Sequence, residues 1–117
     1  MQAIDGERQI TRGVWTVDLT GHTPGHIGVR VEDNGQSLLM AADMLFHPAL
    51  HPATTDIGFL FEHDPTAART MWTRFFPRAV EEKALIAATH MPFPGLGRIV
   101  SDGGKLRWVT AEWARQD

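Results

Sequence analysis

Apolar and polar positions alternate in several short runs along the chain. Trp15, Val17 and Leu19 alternate with Thr16 and Asp18, the pattern of a half-buried strand. Gly21 to His26 breaks that pattern with two glycines and a proline. Ile27, Val29 and Val31 then alternate with Gly28, Arg30 and Glu32, and Asp33-Asn34-Gly35 is a strong hairpin signal. The returning run Leu38-Leu39-Met40-Ala41-Ala42 is apolar throughout, which predicts a strand covered on both faces and ending at Asp43.

From Phe46 to His63 the sequence is irregular and rich in Pro, His and Thr, so it reads as a long loop of the kind that often serves function. Asp64-Pro65 supplies an N-cap and a first-turn proline for a helix. Ala68, Met71, Trp72, Phe75 and Ala79 mark one face of it at helical spacing and predict core positions. Pro77 is expected to end or kink the helix, leaving Arg78 to Lys83 as a separate turn. Ala84 to Ala88 is a further short apolar strand ending at Thr89-His90. Arg98 to Val100 and Lys105 to Val109 flank Asp102-Gly103-Gly104 as a last hairpin. The order strand, hairpin, helix, strand, hairpin predicts a mixed α/β layer, a sheet with a helix on one side. Without repeat, low-complexity tract or linker, residues 1–117 read as one unit.

Composition narrows the chemistry. Of 117 residues 43% are hydrophobic, enough for one small domain with a core. A net charge of −3 with no basic stripe argues against a nucleic-acid partner. No apolar run approaches the roughly 18 residues needed to span a bilayer, and none resembles a signal peptide, so a cytoplasmic protein without a membrane partner is the expectation. There is no cysteine, so a metal would need imidazole and carboxylate ligands, the set zinc takes when thiolates are absent. The six histidines are His22, His26, His47, His51, His63 and His90, several of them beside Pro or Gly in expected loops.

Three of the candidate ligands share one architectural position. His26 follows the first strand in Thr20-Gly21-His22-Thr23-Pro24-Gly25-His26, Asp43 ends the buried strand of the hairpin, and His90 ends the next one. Loops beyond strand ends on one sheet edge converge in space. Taken singly, each has an ordinary reading: His26 as a polar loop residue, Asp43 as a strand-end cap, His90 as a core histidine.

Together, GHTPGH, the hairpin, AAD and the strand-end ATH resemble the middle and end of the metallo-β-lactamase superfamily, over about Thr11 to Trp113. AADMLFHPALHP, the helix after HDP and ATHMPFPGLGRI are most similar to the methyl parathion hydrolase-like branch. The resemblance implies the C-terminal αβ half of an αββα sandwich, and hydrolysis of ester, lactone or phosphotriester bonds in a small-molecule substrate by a metal-bound hydroxide. It implies two divalent ions, zinc by expectation, with His26 on the first metal, Asp43 bridging both as the catalytic carboxylate, and His90 on the second. His22 is expected to orient the loop or support a ligand from behind. His47 and His51 are candidates for a pocket wall or a solvated loop, and Phe93 for contact with an apolar substrate. His63 reads as helix-entry sequence.

The family's upstream HxHxDH motif, which supplies the remaining ligands, has no counterpart here, since no histidine precedes His22. Three ligands serving two metals do not make a preformed site, so the chain alone is expected to be inactive. A non-catalytic fragment or half-domain is the alternative. In either case one sheet face is expected to be bare and apolar unless a missing N-terminal half, or a second copy in a homo-oligomer, covers it.

Overall fold

The computed structural model describes residues 3–56 and 62–112. Seven strands form one sheet in sequential order: β1 Arg8–Thr11, β2 Val14–Asp18, β3 Ile27–Asp33, β4 Gln36–Ala42, β5 Leu85–Ala88, β6 Leu96–Asp102 and β7 Lys105–Thr110. All neighbours are antiparallel except β4 and β5, which run parallel and are joined through the helix α1, Pro65–Glu82. Parallel neighbours need such a crossover, because a tight turn cannot return the chain to the same end of the sheet. The mixed α/β layer is as the sequence predicts.

The β3–β4 hairpin turns at Asn34 and Gly35, with φ of 50° and 76°. Two positive φ values in a two-residue turn match the strand twist, and Asn-Gly is the pair that adopts them most readily. The edge strand β1 has no apolar signature and escapes the sequence pattern. It is held by Thr16, whose hydroxyl donates to the Gly6 carbonyl and accepts from the Arg8 N–H, both at 2.8 Å.

Helix α1 opens as expected. The Asp64 carboxylate accepts from the Ala67 N–H at 3.0 Å, and Pro65 occupies the first turn. It does not break at Pro77 but continues to Glu82 and closes on Lys83, in the left-handed conformation with φ 51°. A mid-helix proline costs about 3 kcal/mol, chiefly through the bond lost to the carbonyl four residues back. That carbonyl belongs to Thr73, which is exposed, so water can satisfy it. Burial of Phe76 and Ala79 meanwhile holds the last turns on the sheet. The buried stripe is Ala68, Met71, Trp72, Phe76 and Ala79; Phe75, predicted for the core, is only partly buried at its edge.

The core lies between α1 and one face of the sheet, with Val17, Leu19, Leu39, Ala41, Ile86 and Ile99 pointing into it. β4 corrects the sequence expectation of a strand covered on both faces. Leu39 and Ala41 are buried, whereas Met40 is 46% exposed and Ala42 is open as well. The reason is geometric: α1 is the one helix among the described residues, and it covers one side. Register places Val29, Met40, Ala87 and Leu96 side by side on the other face, an apolar strip with Ile27, 40% exposed, at its end.

Candidate metal centre

The loop between β2 and β3 is a closed knot of hydrogen bonds. Leu19 N–H donates to the His26 carbonyl at 3.0 Å, and the His26 and Gly21 N–H groups both reach the Thr23 carbonyl at 3.2 Å. Asp18 anchors its start by accepting from the Thr20 N–H at 2.9 Å, and the contacts with Thr20 hold its carboxyl below the usual aspartate range. Gly21 lets the loop lie directly on α1. A Cβ there would stand 2.5 Å from the Ala68 Cα, so no larger residue fits. His22 and His26 are thus fixed to the helix N-terminus as well as to the sheet.

His26 is the best defined of the predicted ligands. Its Nδ1 lies 3.1 Å from the Leu19 carbonyl and must donate to it, which leaves the lone pair on Nε2. That Nε2 is buried and makes no hydrogen bond. Burial holds the imidazole below the ordinary histidine value, with His22 adding to the effect and the Leu19 bond and Asp43 opposing it. A neutral ring with one nitrogen locked on a carbonyl and the other left with an open lone pair is the form in which histidine binds a metal.

Asp43 leaves the sheet through an unusual residue. Ala42 has φ 45°, a left-handed conformation that alanine rarely takes, and its carbonyl accepts from Thr89 N–H at 3.3 Å. This twist at the end of β4 turns the Asp43 carboxylate towards the loop after β5. There Oδ1 lies 3.1 Å from His90 Nε2, and Oδ2 lies 3.7 Å from His22 Nε2. His22 in turn packs edge-on to His26, with centroids 5.7 Å apart. The four predicted side chains His22, His26, Asp43 and His90 therefore gather at one end of the sheet. They do not yet form a closed coordination shell: among the described residues no three His or carboxylate groups converge closely enough to hold a metal ion. The buried His26 nitrogen without a hydrogen bond suits such an ion chemically.

The remaining candidates separate. His51 is fully buried, packed 4.3 Å from the Trp72 ring, and so is not a solvated loop residue. His47 is exposed, and its Nδ1 accepts from the Ala49 N–H at 3.2 Å, a cap on its own turn. His63 donates its N–H to the His22 carbonyl at 2.9 Å, tying helix entry to the site loop. Phe93 is 83% exposed and, with Ile27, Val29, Met40 and Leu96, lines an apolar groove of about 750 Å³ beside His90. Phe46 is the residue that sequence reasoning missed. Its ring lies 5.3 Å from both His22 and His90, almost parallel to the latter at 27°. Its one sequence signal is an aromatic residue placed three positions after Asp43.

Solved structures share this arrangement of elements. The chain is similar to a hydrolase of the beta-lactamase superfamily, AbOPH, at 25% identity and a TM-score of 0.83, over 90% of this chain and 36% of that one. It is similar to AidC, a dizinc quorum-quenching lactonase, at 21% identity and a TM-score of 0.85, over 96% of this chain and 38% of that one. An N-acyl homoserine lactone hydrolase matches at 24% identity and a TM-score of 0.61, over 80% of this chain and 40% of that one. No protein-family model matches the chain, and no curated protein matches it significantly by sequence. The fold is that of metallo-β-lactamase-type hydrolases, of which the chain spans well under half the length of these structures.

Proposed function

We propose that the chain is the C-terminal half of a two-metal hydrolase of the methyl parathion hydrolase-like branch, acting on ester, lactone or phosphotriester bonds. The observation that carries this reading is the buried, unbonded Nε2 of His26, whose ring packs on the His22 that approaches the paired Asp43 and His90. Similarity to a hydrolase and to a dizinc lactonase supports it. In the reading, His26 and His90 each fix one ion and Asp43 joins the two, while the upstream half supplies the other ligands. Such a pair of ions polarises the C=O or P=O bond and activates water near neutral pH. The chain's own contribution is positional. The Leu19 carbonyl fixes the His26 tautomer, and the Ala42 twist presents Asp43.

The test is a protein carrying both halves, assayed on a lactone, an aryl ester and a phosphotriester with metal content measured in parallel. The expectation is about two zinc ions per chain and loss of both metal and activity in His26→Ala, Asp43→Ala and His90→Ala. Hydrolysis that survives complete chelation would sink the proposal.

The apolar strip on the uncovered sheet face favours a second reading: a non-catalytic half-domain that self-associates through that face. Sedimentation of the chain by itself separates the two, since a metal-free monomer at all concentrations excludes self-association.

A further inference from the structure

Asp43 is approached from two sides, by His90 at Oδ1 and by His22 at Oδ2, and both imidazoles rest on the same ring. That ring is Phe46, 5.3 Å from each. The chain between Asp43 and Phe46 is anchored in the core: Met44 and Leu45 are fully buried, and the Met44 carbonyl accepts from the Trp72 indole N–H at 2.8 Å. Phe46 itself leans on His51, whose ring lies 6.1 Å away and whose Nδ1 accepts from the Phe46 N–H at 3.4 Å. His51 in turn packs on Trp72. A continuous path of packed rings runs from the middle of α1 to the two histidines.

We propose that Phe46 is a positioning residue for the Asp43–His90 pair, a platform that transmits the rigidity of α1 to a half-exposed histidine on a loop. His90 sits beyond the end of β5, where the backbone alone leaves its ring free to rotate. Stacking at 27° selects the orientation in which Nε2 faces Asp43. Residues behind a metal ligand typically change metal affinity ten- to a hundredfold when removed. The metal arm of the test rests on the function proposed above, whereas the stacking arm does not.

The experiment uses the 117-residue chain and its Phe46→Leu and Phe46→Tyr variants, with His90 ring protons followed by NMR and zinc binding by calorimetry. In the native chain the His90 ring protons should lie upfield of an exposed imidazole and show nuclear Overhauser contacts to Phe46. Phe46→Leu should move them downfield, with a folded spectrum retained, and weaken zinc binding roughly tenfold. Phe46→Tyr should restore both. If Phe46→Leu does not fold, the native contacts and the Phe46→Tyr spectrum decide the matter. His90 resonances at the exposed position in the native chain, or unmoved in a folded Phe46→Leu, overturn the proposal. A native chain that binds no zinc but shows the stacking shift supports the platform, and the metal reading is then decided by the protein carrying both halves.

Discussion

At the scale of single residues, Ala42 shows how the site is built against local preference. Its φ of 45° costs on the order of 1–3 kcal/mol, and no side chain forces it. What holds it is the parallel pairing with β5, where the register slips between Met40 and Ala42. A β-branched side chain tolerates this conformation worse than alanine, and glycine tolerates it best. Ala42→Val should therefore destabilise the chain by roughly 1–2 kcal/mol relative to wild type, and Ala42→Gly should be neutral or stabilising by up to about 1 kcal/mol, read from urea unfolding. Equal stability of the two variants would mean the strain is absent. Alanine carries no hint of this twist, unlike Asn34, whose place in Asp-Asn-Gly announces it. The same limit applies to His51: its burial depends on Trp72, 21 positions on, and no local pattern encodes that pairing. His26 does permit a prediction from its surroundings. Burial lowers its pKa from the ordinary 6.5, so in acid the unfolded chain takes up this proton before the folded one does. Its contribution to stability is thus present above pH 6.5 and is lost as pH falls from there through the folded value. An NMR titration should place the His26 midpoint below 6.5; a midpoint at or above that value contradicts the account.

Between elements, the decisive joint is α1 against the loops at the site. Trp72 fills the core and also donates its indole N–H to the Met44 carbonyl, directly behind Asp43. Trp72→Phe keeps an aromatic ring but leaves that buried carbonyl unsatisfied, which costs about 1–3 kcal/mol, with some packing loss added. Thermal or urea unfolding should show this loss, and the His90 ring signals should broaden as the Asp43–Phe46 segment loosens. Loss of stability without any change at His90 would separate the helix from the site. Most of this joint was legible in the sequence, because Asp64-Pro65 and the 68-71-72-79 spacing define α1 and the face it buries. The exchange of Phe75 for Phe76 in the core was not. Both lie within reach of the apolar stripe, and only the crossing of α1 over the sheet decides between them. Pro77 misleads for a related reason: its penalty is local, while the burial of Phe76 and Ala79 that offsets it is tertiary.

For the whole molecule, the question is what lies on the sheet face opposite α1. Seven strands spaced about 4.8 Å apart, with a rise of about 3.3 Å per residue, give a face of roughly 600–700 Å². Two such faces packed together would bury on the order of 1,200–1,400 Å², at the lower end of what specific interfaces use. The sequence indicated that face through its alternation, since Val29, Met40 and Ala87 are as apolar as the residues on the covered side. It could not indicate the occupant, because apolar area is non-directional and fits any complementary layer. Met40 offers a way to ask. It sits at the centre of the strip and is 46% exposed, so Met40→Lys costs little, within about 0.5 kcal/mol, wherever the face meets water. If a second layer covers it, the same substitution buries an unpaired ammonium and costs several kcal/mol. Unfolding of Met40→Lys in the chain by itself, from low to high micromolar concentration, should show no loss at the dilute end. A deficit that grows with concentration, together with loss of the sedimenting dimer, is the outcome expected of a self-associating half-domain. In a protein with both halves joined, the deficit should be present at every concentration, because the covering layer then belongs to the same chain. A substitution without effect in either setting would mean that the apolar strip packs against nothing.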